Sequence, residues 1–456
     1  MGDSGAQTTA RVAELVCATK FDRLPSEVIN YSKSLALSAL GGMVAGAPLE
    51  RCKIVTRYVQ RMGGNPEAVV AASGFRTSIE NAALANGHFA HTTEYEDDSI
   101  PEGVSAYTLF PPFFALAEKL GSPGSRLIEA FAAGYEVQSR LGIDCNTARR
   151  RGYQNLCMVG ALGIAAGAAK LLDLDQERTI WALSLAASQA CGLTLQTGTG
   201  AHFIEMGIAG RNGLAAALWA AEGLTGSTTI LEGPKGFLDL KTRGDVPHPT
   251  DVVDNWGKPY RVMAVGIKSY PSCFHLQRYI QGTLEMQESH GFRAKDVARI
   301  EAEVNPMVPQ FIRYPNPRNA DEARFSMHHS LAVALLDDRI TMASYSDKRV
   351  LDDDARDLRE RVKMIVHDDW EYGSLTGPYP LTIVLKDGTR FSKNCLKVNG
   401  QPPDLLPVEK VIQKYRLCTE GLLPEENIEE SIRLALDLDK LDNFARLASL
   451  ILNAKA

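Results

Sequence analysis

Two stretches almost without a polar side constrain this chain most: VGALGIAAGAAKLL (159–172) and MGIAGRNGLAAALWAAEGL (206–224). Small residues recur on their faces, with Gly207, Gly210 and Gly213 three apart, so neighbouring helix backbones can approach closely. A helix that is apolar all round has to be covered on every side, which predicts a multilayer helical body rather than an exposed bundle. The same three- and four-residue spacing runs from Thr8 to about Lys241, through residues 11–19, 26–45, 78–88, 109–119, 126–142, 156–172, 176–190 and 208–224.

The pattern changes after about Pro247. Strands are predicted at 262–270, 297–304 and 362–366, and LTIVLKDGTRFSKN reads as a hairpin turning at Asp387-Gly388. Helical patterns fill 272–288, 325–336 and 352–359, and from Pro407 the helical spacing returns. A chain that leaves a helical body, builds a smaller mixed unit and comes back implies an inserted domain. The predicted fold class is therefore mainly α, with a large all-helical domain from 1–265 and 405–456 and an α+β lid domain at 266–404.

With 49 Lys plus Arg against 55 Asp plus Glu, the net charge is -6, which offers no general field for phosphates. Nucleic acid is excluded as a partner, and an anionic ligand needs a local basic pocket. The eight cysteines are scattered without a C-x-x-C pair, against structural zinc or an iron–sulfur cluster. No stretch reaches about 18 uncharged apolar residues, so no membrane span is expected and the predicted location is the cytoplasm.

Five polar constellations interrupt this background. The run His88–Ser99 holds His91, Glu94, Glu96, Asp97 and Asp98, carboxylates dense enough to raise one another's pKa unless a cation shares the site. Such a run suits proton transfer or metal binding; the alternative is a solvated acidic loop. Arg149-Arg150-Arg151-Gly152-Tyr153-Gln154-Asn155 precedes an apolar helix, whose unpaired amides favour an anion, although Asn155 as an ordinary N-cap explains it too. Gln196–His202 is a glycine-rich approach to the next helix, without the strand that a dinucleotide site requires. Lys268, Tyr270, Cys273 and His275 fall at the seam between the two patterns, where pockets form. The last constellation contains His328 and His329, which point about 100° apart on a helix, so that at most one faces a given pocket.

Taken in order, NGHFAHTTEYEDDS, FPPFFALAEKLG, AFAAGYEVQSRLG, RRGYQNLCMVGALGIAAGAAKLLDLD, GRNGLAAALWAAEGLTG, IKSYPSCFHLQ and ARFSMHHSLAVALL resemble the MmgE/PrpD family, whose members include 2-methylcitrate dehydratase, cis-aconitate decarboxylase and iminodisuccinate epimerase. The resemblance implies a helical domain built from both chain ends, a lid, a homodimer, and no required metal or organic cofactor. It also implies Glu94 at the acidic motif in place of the usual Asp, with Asp97 or Asp98 following. At positions where the family carries His, His or Lys, this chain has Val104, Gln154 and His202; Glu205 stands where a His is common. Lys268 and Tyr270 are retained, Cys273 occupies a His-or-Cys position, and His329 replaces a Tyr.

The expected activity is a cofactor-independent lyase, a dehydratase or decarboxylase, acting on a small carboxylic acid by abstracting a proton alpha to a carboxylate or carbonyl. His202, Lys268, His329 and Tyr153 are the candidate catalytic residues, and Glu94, Asp98, Gln154, Tyr270, Cys273 and Arg151 the candidate substrate-binding residues; no metal site is expected. Two other readings stay open: an epimerase of a substituted dicarboxylate such as an iminodisuccinate-like compound, and a non-catalytic small-molecule-binding homologue.

Overall fold

Packing of the small-residue helices sets the architecture. In a computed structural model that describes residues 7–245 and 251–454, the helices Ile79–Thr92 and Gly200–Ala221 cross so closely that a methyl group on Gly207 would sit 2.2 Å from the Leu84 carbonyl oxygen. Helices Gly124–Asp144 and Gly160–Leu171 meet the same way, with Gly134 and Gly163 each backed by the other's carbonyl. Any side chain larger than hydrogen would push these backbones apart. Side-chain caps fix where two of the helices begin: Ser78 Oγ accepts from Asn81 N, and Asp175 from Arg178 N.

One hydrophobic core runs from Val12 to Ile267 and takes in Val411 to Ile451 from the far end of the chain. Helices Val408–Thr419 and Glu425–Leu436 lie on Ser26–Gly46, and Ala72 N and Gly74 N donate to the carbonyls of Ile451 and Leu452. A second core gathers residues from Cys273 to Cys395 and includes Phe203 from the first unit. Its four-stranded sheet has the order Val362–Val366, Val297–Val304, Pro380–Leu385, Arg390–Asn394, with the first pair parallel and the others antiparallel. Helices Phe274–His290 and Met327–Leu336 cover it. The fold is mainly α, as the periodicity predicts.

The hairpin follows the sequence expectation, and several other elements depart from it. The hairpin turns at Asp387-Gly388, with Gly388 at φ +92°. The expected strand at 262–270 is instead a 3-10 turn, Arg261–Ala264, and a short strand, Val265–Ile267. That strand pairs antiparallel with Asp97–Ser99, which helical spacing did not suggest. The helix expected at 208–224 begins eight residues earlier, at Gly200, so His202 sits in its first turn rather than in a loop. Asn155 is not an N-cap: its amide donates to the carbonyls of Glu102 and Gly142. The helix it opens, Asn155–Met158, is one turn long. Residue 247, the expected change of character, lies outside the described residues. Among the described residues no helix is long and apolar enough to cross a membrane.

Candidate active site

The acidic run is shaped by the way its helix ends. After Ile79–Thr92 the chain enters the left-handed region at Glu94, φ +51°, a conformation that a non-glycine residue adopts at a cost. Thr93 holds the turn, its hydroxyl donating to Ala90 O and accepting from Tyr95 N. From there the chain is extended, and Glu94, Glu96 and Asp98 come to one side. Pairing of Asp97 with Ile267 then delivers Lys268 to those carboxylates. Lys268 Nζ lies 3.0 Å from Glu94, 2.7 Å from Glu96 and 3.4 Å from Asp98, and is 1% exposed. Behind this ribbon, Lys414 of the C-terminal helix Val408–Thr419 donates to the carbonyls of Tyr95 (2.5 Å) and Lys268 (3.2 Å). Burial pushes Lys414 down to about 8.

Glu94, Glu96, Asp98 and Lys268 form one wall of an 80 Å³ cavity between the two cores. His91 and His202 come from the small-residue helices, their ring centroids 4.6 Å apart, with His202 Nε2 3.9 Å from Glu94. The second unit contributes Cys273, His275, Phe311 and Phe325. Arg149 and Gln154 enter from the connection before Asn155–Met158.

Burial by itself would raise Glu94, yet Lys268 and His202 hold it well below the usual carboxylate range. Glu96 goes the other way: burial and the charge on Glu94 push it up to about 8, so it keeps its proton at neutral pH. Burial also raises Asp98, against the pull of Lys268. Lys268 stays charged, because its three carboxylates outweigh its own desolvation. Burial and His202 press His91 well down, and burial with Arg149 brings His275 to about 3, so both rings are neutral. With Nδ1 of His91 donating to Phe203 O, its Nε2 carries the lone pair. Four buried atoms, Glu94 Oε2, Glu96 Oε2, Asp98 Oδ2 and His202 Nδ1, have no hydrogen-bond partner in the protein. Buried polar atoms are nearly always satisfied, so four of them around one cavity mark a place where a polar ligand is bound.

The ligating atoms of His91, Glu94 and His202 lie within 4.8 Å of one another, close enough to share a cation. Lys268 already puts an ammonium 3.0 Å from the same Glu94, and a dication would meet it at short range.

Of the residues singled out from the sequence, Glu94, Asp98, Gln154, His202, Lys268 and Cys273 meet at this cavity. The other four lie elsewhere. His329 donates from Nε2 to Ser344 O at 2.9 Å inside the second core, with Arg359 against its other nitrogen. The ring of Tyr153 faces Lys241, whose Nζ is 4.5 Å from its centroid. Arg151 donates to the carbonyls of Lys241 and Thr242 and sits 3.6 Å from Asp245. Tyr270 donates its backbone N–H to Gln277, and its phenol is pushed up to about 12 by burial. Burial also drives the Cys273 thiol far above its ordinary value.

Sequence reasoning missed His91, Glu96, Arg149 and His275 as lining residues. A signal existed for Glu96, because alternate residues of an extended chain share a side, which places it with Glu94 and Asp98. Arg149 had none. Residues two apart on a helix face nearly opposite ways, and nothing local says whether Arg149 or Arg151 of Asn146–Arg150 and its cap turns inward.

Comparison with known proteins finds the MmgE/PrpD N-terminal domain over residues 10–250 and the MmgE/PrpD C-terminal domain over 270–440. Cis-aconitate decarboxylase of Mus musculus is 27% identical over 458 residues, covering 97% of this chain and 93% of that protein. Cis-aconitate decarboxylase of Aspergillus terreus is 25% identical, over 98% of this chain and 97% of its own length. 2-Methylcitrate dehydratase of Escherichia coli is 22% identical over 70% of this chain and 68% of its own.

Proposed function

The chain belongs to the MmgE/PrpD family, and from that premise we propose that it is a cofactor-independent lyase, a dehydratase or decarboxylase of a small carboxylic acid. The observation that carries this reading is the convergence of proton-holding groups without protein partners and two cations on one cavity.

Removing a proton alpha to a carboxylate needs a positioned base and a cation for the enolate-like charge that develops. His202 is the base, since its Nδ1 has no protein partner and its Nε2 faces the ionised Glu94. Glu96 is the acid, holding its proton at neutral pH against the cavity. In a dehydration it protonates the departing hydroxyl; in a decarboxylation it returns a proton to the carbon that loses carbon dioxide. Lys268 donates to Glu94 and Glu96 and sets its charge 3.4 Å from Asp98, so its work is to order and bias those three groups. Arg149 is the substrate clamp: Nη1 donates to Pro101 O at 2.7 Å, and the rest of the fork is left for a carboxylate.

The test is proton NMR in deuterated water with purified protein and a panel of cis-aconitate, 2-methylcitrate, citrate, malate and N-substituted aspartates. A new vinyl signal, or loss of one with solvent deuterium entering the product, is the expected result. Deuterium exchange without elimination or carbon dioxide release replaces the lyase by an epimerase. No reaction with any member of the panel, together with binding of several, makes the chain a binding protein.

A further inference from the structure

A larger cleft adjoins the cavity just described. Its volume is 650 Å³ against 80 Å³, and the two share Ile100 and Phe274. On the side of the helical body it is bounded by the Arg261–Ala264 turn; on the other side lie helix Phe274–His290 and residues 396–404, which follow the strand Arg390–Asn394.

Four charged residues line the cleft, and three of them are paired. Arg261 donates to Glu102 and, at 3.1 Å, to Ser139 Oγ, and Lys397 Nζ is 3.9 Å from Asp404. Arg278 is the fourth. It is 5% exposed, and no ion pair joins it to a carboxylate of the described residues. Its guanidinium carbon lies 3.6 Å from the ring centroid of Tyr379 and 5.9 Å from that of Phe274. The polar group beside it is the Tyr379 phenol, which burial keeps neutral. A guanidinium stacked on a ring keeps its edge N–H groups for an acceptor, and a buried charge without a counter-charge is costly. Gln401, packed over Gly266, adds a second donor, because its Nε2 is buried without a partner.

The rest of the lining is mostly apolar. Leu375 and Leu396 are 56% and 62% exposed, while Val398 and Phe274 are buried. Exposed leucines on a cavity within the roughly 300–1,000 Å³ range of small-molecule sites mark a binding surface.

We propose that this cleft is a second ligand site, taking a carboxylate that carries an apolar body: the carboxylate on Arg278 and Gln401, the body against Leu375, Leu396 and Phe274. Its occupant borders the smaller cavity through Ile100 and Phe274. The site stands whether or not the smaller cavity carries out a lyase reaction.

Calorimetric titration of the full chain with octanoate and its uncharged amide, octanamide, tests this. Octanoate is expected to bind at least about tenfold more tightly, the size of one charge-assisted contact. Arg278→Met should remove that preference and leave octanamide binding in place, whereas Arg149→Met, in the smaller cavity, should change neither affinity. Should Arg278→Met not fold, Leu396→Glu puts a negative charge at an exposed position and should weaken octanoate severalfold with little effect on octanamide. The proposal is overturned if octanoate does not bind at millimolar concentration, or if acid and amide bind equally. Octanoate binding that survives Arg278→Met, or that is lost in Arg149→Met, overturns it as well.

Discussion

Two buried histidine sites in this molecule have nearly the same ingredients. Around His329, a ring inside the second core meets Arg359 and Ser344; around His202, a ring meets Glu94 and His91, with Lys268 on the other oxygen of Glu94. Burial brings His329 down to about 4, so it is neutral, with Nε2 donating to Ser344 O and Nδ1 accepting from Arg359. That account closes without a ligand. At His202 it does not close, because Nδ1 and three carboxylate oxygens nearby have no partner in the protein. Buried polar groups that satisfy one another stabilise a fold, whereas those that await a partner bind one. Burial and residue type alone are therefore poor guides to a site; several unpartnered atoms gathered on one cavity are a better one.

The largest effect expected from breaking this contrast is at Lys268. Replacing it by Met leaves the ionised Glu94 and its buried neighbours Glu96 and Asp98 without their cation, so turnover should fall by about 10³ and stability by roughly 3–5 kcal/mol. Denaturant melts and steady-state rates on the same preparation separate the two losses. An active, stable Lys268→Met would show that the carboxylates do not need the ammonium.

Glu96→Gln comes next, with turnover reduced about 10² to 10⁴ if Glu96 gives the proton. Wild-type turnover should decline above about pH 8 as Glu96 ionises, and the variant should lose that limb. Stability carries a second signature. Folded Glu96 keeps its proton to about pH 8, whereas its ordinary value is 4.5, so the native state binds more protons between these values. Stability therefore falls as pH rises from 4.5 to 8, and melting temperature in the variant should fall less steeply over that window. Glu94 has the opposite sign: its contribution is present above 4.5 and lost as pH drops below it.

Arg149→Met should raise KM about tenfold or more, the loss of one charge-assisted contact to substrate, while Arg151→Met changes it less than about twofold. Equal effects would remove the distinction drawn between these neighbours. The smallest effect on catalysis is expected at His329→Asn, with kcat/KM within about twofold of wild type despite a stability loss of about 1–3 kcal/mol. A His329 variant that folds well and turns over poorly would reverse the comparison of the two sites.

The polar stretches of the cavity were legible in the sequence: the acidic run, Lys268, the approach to His202 and the arginine cluster all contribute to it. The helical body was legible too, because small residues repeated on several helical faces can be buried only against other helices. Its near-contacts at Gly134, Gly163 and Gly207 follow from that pattern. So was the hairpin at Asp387-Gly388, since the turn chemistry is local. What local pattern does not contain is which member of a charged run faces the cavity. Glu94 and Lys268 meet across 174 residues, through a ribbon of three residue pairs that periodicity did not suggest. Arg149 rather than Arg151 lines the cavity, and His202 rather than His329 faces it, for the same reason. The sequence by itself determined the helical body and the longer strands, because propensity and hydrophobic spacing act over a few residues. Only the tertiary structure decided which polar atoms are left without partners, because that depends on what distant segments bring to the same place.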